Sequence, residues 1–144
     1  AARVFTPLVL AGLWALFIIS SVLFLPVWGV RRLRGRIEPG PAVRVRLFPL
    51  LASLCVLGFL AMSILGMGDP FARLGQITLT STALMLLTIL FVMFAVTGLV
   101  YAFATRRESI NRAAWWHSAA GSALHVMAAA YLGAHGIIGL ATWA

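Results

Sequence analysis

The chain has 144 residues, of which 62% are hydrophobic and only 10% charged, and it carries a formal net charge of +8. A soluble globular domain has roughly 25% charged residues, so this composition excludes an ordinary soluble fold and points to an integral membrane protein. All eleven basic residues are arginines that flank apolar runs, a pattern of membrane orientation and headgroup contact rather than of nucleic-acid binding.

Charge is absent from Val4 to Val30, Leu47 to Gly68, Leu74 to Thr105 and Ala113 to Ala144. Each run exceeds the ~20 residues that cross a bilayer core as a helix. The pattern predicts an all-α integral membrane protein, a single domain over 1–144. Four transmembrane helices are expected at about 5–30, 47–67, 77–105 and 113–141, as an antiparallel bundle. The first has Pro7 in its opening turn, where a missing N–H is tolerated, and Pro26 near its end, where it should loosen the last turn. The chain starts AARVF without an initiator methionine, as a processed protein or a piece of a longer one would.

The stretch RRLRGRIEPGPAVRVR (31–46) holds six arginines, and Pro39, Gly40 and Pro41 mark it as a loop. Between the second and third helices, GMGDPFARLGQ makes a short turn, with Asp69 before Pro70 suited to turn chemistry or an N-cap. TRRESINRA (105–113) is the last polar connection. Arginine-rich loops stay in the cytoplasm, so 31–46 and 106–112 are expected inside and both termini outside. Arg31, Arg32, Arg34, Arg36, Arg106 and Arg107 are the topology and lipid-contacting residues. Trp28, Trp115 and Trp116 fall at the cytoplasmic interface and Trp143 at the opposite one, as aromatic anchors do. The expected location is the bacterial cytoplasmic membrane, as a multi-pass protein with the lipid bilayer as its first partner.

The fourth helix carries Ser118, Ser122, Ala129, Gly133 and Gly136 near one face, small residues that let a neighbouring backbone come close. It also carries the chain's three histidines. His117 and His135 share a face but lie about 27 Å apart along the axis, and His125 points some 80° away from both, so they build no metal site. His117 and His135 fall near opposite surfaces. His125 lies mid-span, where an ionisable residue is a functional candidate by default. Three roles stand open for it: a neutral ring hydrogen-bonded to a facing Ser, Thr or carbonyl as helix glue; an axial ligand of haem b, with Met62, Met85 or Met93 or a partner subunit giving the second ligand; or proton or substrate handling. No serine-hydrolase, P-loop, HExxH or CxxC motif is present, and Glu38, Asp69 and Glu108 pair with nothing, so no catalytic residue is assigned.

The segments LPVWGVRRLRGR (25–36), YAFATRR (101–107), the pair Trp115–Trp116 and the stretch Gly121 to His125 resemble the C-terminal membrane region of bacterial serine hydrolases of the β-lactamase and penicillin-binding-protein family. The resemblance implies an extracytoplasmic catalytic domain ahead of these helices, whose catalytic residues have no counterpart here. The expected function is therefore a non-catalytic membrane anchor or assembly domain. The alternative is an accessory subunit of a respiratory or photosynthetic complex, docked on other membrane subunits, with or without haem b at His125. A small transporter or channel ranks behind both, because no broken helix or buried carboxylate marks a midplane site.

Overall fold

The computed structural model describes residues 2–35, 40–139 and 141, and for 2–8 and 71 the backbone alone. The described residues form five helices: α1 (Ala2–Leu33), α2 (Gly40–Met67), the single turn α3 (Pro70–Arg73), α4 (Leu79–Ala104) and α5 (Arg112–Ala134). An apolar backbone in lipid must satisfy its own N–H and C=O groups, and a helix does so within one segment. Val9–Leu33, Gly40–Met67 and Leu79–Ala104 are long and apolar enough to cross a membrane. The more polar α5, with its histidines, serines and many alanines, does not reach that apolarity.

Helix limits depart from the hydropathy pattern in instructive ways. Pro26 does not end α1, which continues to Leu33 and stops where Gly35 turns left-handed at φ 72°. The loop expected over 31–46 is shorter, because α2 begins at Gly40 instead of 47. Arginine is a good helix former, so Arg44 and Arg46 prolong the helix beyond the apolar run; hydropathy reports where lipid ends, not where the helix does. The last helix ends at Ala134 instead of 141. Gly136, at φ 69°, and Ile137 donate to the carbonyls of Gly133 and Leu132, both at 3.0 Å, which is a Schellman stop.

Three helix starts are capped locally. Asp69 Oδ1 accepts from the Ala72 N–H at the start of α3, Thr78 and Ser81 form a reciprocal capping box on α4, and Asn111 caps α5. The four long helices alternate in direction, so the C-termini of α1 and α4 lie beside the N-termini of α2 and α5. Arg46 stacks over Phe24, Phe48 meets Tyr101, and Trp115 Nε1 donates to the Ala102 carbonyl at 2.9 Å. Arg31, Arg32, Arg34, Arg106 and Arg107 therefore gather at one end with Arg44, Arg46 and Arg112, while Arg73 lies at the other.

Helices α2, α4 and α5 interlock most closely, around Ala52, Cys55, Phe91 and Ala129. Small residues permit this approach. Gly98 of α4 lies against Ser122 of α5 and Phe48 of α2, so closely that a Cβ there would stand 2.8 Å from the Ser122 Oγ. Gly121 of α5 receives the ring of Phe17 from α1, and a Cβ at that position would fall within the ring. On the outward faces Leu16, Ile64, Val100 and Phe103 are exposed, as suits a surface turned to lipid.

Candidate functional site

The α5 face that enters the bundle consists of Ser118, Gly121, Ser122, His125 and Ala129, all buried. Spacings of three and four keep them on one side of the helix. Gly133 and Gly136, expected to continue this packing face, are exposed instead: the helix ends at Ala134, and Gly136 serves the stop. Ser118, Ser122 and Ala129 lie where the sequence puts them.

His125 is fully buried, with none of its surface exposed. Four helices meet at its ring. The Trp14 indole of α1 donates from Nε1 to His125 Nδ1 at 2.8 Å. Indole nitrogen only donates, so Nδ1 holds a lone pair and the proton of the neutral imidazole sits on Nε2. That N–H faces the Ser53 Oγ at 3.1 Å and the Pro49 carbonyl at 3.2 Å, both on α2. Ser53 in turn donates its hydroxyl proton to the same Pro49 carbonyl at 2.8 Å. Every polar atom of the cluster thus has a partner. Buried groups in hydrocarbon require this, because one left unpaired costs several kcal/mol.

Aromatic rings close the remaining sides. Phe17, Phe91 and Trp14 stand edge-on to the imidazole, at centroid distances of 5.6, 5.7 and 6.2 Å. An axial haem ligand needs a nitrogen lone pair aimed at iron and room for a macrocycle. Here the Nδ1 lone pair is engaged by Trp14, Nε2 carries the proton, and rings occupy the space. Met93 is exposed on the outward face of α4. The residues around His125 do not fit haem b.

The other histidines serve elsewhere. His117 stacks on Phe17 at 4.7 Å, with its Nε2 2.9 Å from the Ser20 Oγ. His135 directs Nδ1 to the Tyr131 carbonyl at 2.8 Å and is exposed. Among the described residues no three metal-ligating side chains converge. At the arginine-rich end Arg32 lies over Trp28, 5.3 Å from the ring, and Trp115 and Trp116 meet edge to face at 4.9 Å. Arg36 and Trp143 lie outside the described residues.

Sequence reasoning found His125 but missed Trp14, Pro49 and Ser53. A signal for Trp14 existed: a tryptophan so far from either end of an apolar run sits below the interfacial belt and must find an acceptor for its N–H. No protein-family model, curated protein or solved structure matches the chain.

Proposed function

We propose that the chain is a non-catalytic four-helix membrane domain, with α5 as the fourth span and both termini on the extracytoplasmic side of a bacterial cytoplasmic membrane. The observation that carries this reading is the closed cluster at His125. The ionisable residue at bundle depth spends both ring nitrogens on Trp14, Ser53 and Pro49, which ties α5 to α1 and α2 and leaves no group there to transfer a proton or hold a ligand. The same cluster compensates for the modest apolarity of α5: Ser118, Ser122 and His125 face protein, not lipid.

What the domain anchors is an extracytoplasmic serine-hydrolase-like domain. This part of the proposal rests on the resemblance of 25–36 and 101–107 to such membrane regions.

Two experiments test the two parts separately. Alkaline phosphatase and a green fluorescent protein, each fused after Ala144, report the side of the C-terminus. Four spans give active phosphatase and a dark fluorescent protein, and the reverse pattern overturns the fourth span. An antibody against 105–113, applied to native membranes treated with a fluorescent penicillin or fluorophosphonate, should mark a labelled band well above 15.5 kDa. A band at that mass without label refutes the hydrolase and leaves the topology untouched.

A further inference from the structure

The connection between α4 and α5 carries Arg106 and Arg107, which line two hollows at once. One, of about 450 Å³, reaches Arg112, Trp115 and Trp116 at the start of α5. The other, of about 520 Å³, lies on the α4 side beside Phe103. The backbone beneath them is held by its own bonds: the Glu108 N–H donates to the Thr105 carbonyl at 3.0 Å and the Ile110 N–H to the Glu108 carbonyl at 2.8 Å. Asn111 caps α5, and the Trp115 indole donates to the Ala102 carbonyl, so the start of α5 is fixed to the end of α4.

Arg106, Arg107 and Arg112 are all exposed. Among the described residues no side-chain hydrogen bond, ion pair or ring contact engages their guanidinium groups. Glu108 is the one carboxylate in the first hollow, which leaves two positive charges in excess. Guanidinium groups match phosphate oxygens with paired N–H donors. Apolar surface flanks this charge: Phe103 and Trp116 are each 65% exposed, and aromatic rings so placed sit at the level of lipid headgroups. An acidic peptide would answer the arginines but offer nothing to these two rings, whereas an anionic lipid answers both. Two hollows on either side of one arginine pair suit a headgroup with two phosphates.

We propose that this turn is a binding site for an anionic lipid with a two-phosphate headgroup. Arg106 and Arg107 lie between the phosphates, Arg112 serves the one on the α5 side, and the acyl chains pass Phe103 and Trp116. The site rests only on the membrane reading of the apolar helices and needs neither an attached hydrolase nor a given side for the C-terminus.

Native mass spectrometry tests it, on the full chain released from nanodiscs that hold diphosphatidylglycerol and phosphatidylglycerol at matched phosphate in phosphatidylcholine. Diphosphatidylglycerol should be retained preferentially. The double variant Arg106→Gln with Arg107→Gln should lower that retention about tenfold, as the loss of charge-assisted bonds implies. Arg34→Gln with Arg44→Gln removes the same charge at the same end and should change it by less than about twofold, as a screened surface effect would. Arg106→Lys with Arg107→Lys keeps the charge but loses the paired donors, and should fall between these two. Equal retention of the two lipids at matched phosphate, or equal loss in the two glutamine pairs, overturns the proposal. Displacement of the lipid by inorganic pyrophosphate or by hexaglutamate at matched concentration overturns the lipid assignment, in favour of a free anion or of an acidic protein segment.

Discussion

Around His125 the four helices close on one another; about two turns nearer the arginine-rich end of the same helix, His117 still stacks on Phe17 and meets Ser20 of α1, but beside these contacts α1 stands off from α2 and α5 and leaves a cleft. The difference lies in what the facing helices bring. At the level of His125 they bring Gly121 as a seat for Phe17, small residues on α4 and α5, and donors and acceptors in matching number. At the level of His117 they bring Arg31 and Arg46. Sinking a guanidinium group between packed helices costs several kcal/mol, and both arginines stand at the cleft instead of inside the packed core. A membrane bundle therefore has no uniform interior. Glycine and a satisfied polar cluster seal one level, and the next one, lined by two arginines, keeps a cleft.

Four substitutions would break or sharpen that contrast, each read by reversible unfolding in mixed micelles. Gly121→Leu should be the most damaging, because the Phe17 ring already occupies the space; overpacking predicts a loss of about 3 kcal/mol or more. If the sealed level depends on that seat, adding Phe17→Ala should restore part of the loss, and no restoration would refute the assignment. His125→Ala comes next, at about 2 kcal/mol, since it opens a cavity and strips partners from Trp14 and Ser53. A change no larger than that of a lipid-facing control such as Met127→Ala would mean that the cluster does not tie the helices.

Trp14→Phe keeps most of the ring and removes the N–H donor to His125 Nδ1. It should cost about 1 kcal/mol, the scale of a hydrogen bond between membrane helices. An unchanged stability would separate the packing of α1 from its hydrogen bond. Ser122→Ala should have the smallest effect, within about 0.5 kcal/mol or slightly stabilising, because its Oγ makes no hydrogen bond to lose. A loss near that of His125→Ala would show that the Ser122 hydroxyl belongs to the sealed network.

Much of the fold was legible because a bilayer imposes simple rules on a chain. The apolar runs located α1, α2 and α4, and Asp69 before Pro70 marked a helix start through a side chain acting on its own neighbourhood; the caps at Thr78 and Asn111 were seen only in the structure. Helix limits were less legible at Gly40 and Ala134, since arginine extends a helix past the apolar run and a Schellman stop ends one inside it. The packing stripe was readable as far as Ala129. Beyond it, Gly133 and Gly136 resemble packing glycines in composition, yet one is exposed and the other turns the chain.

The sequence by itself determined an apolar all-α chain, the gathering of arginine at one end once the helices alternate, and one histidine far from the ends of its helix. These follow from local composition and periodicity, which need no knowledge of neighbours. Only the tertiary structure decided what His125 does. Its partners Trp14, Pro49 and Ser53 lie 111, 76 and 72 residues away along the chain. A hydrogen bond depends on positions fixed to a few tenths of an ångström, and no spacing along one helix encodes where another helix will place a donor.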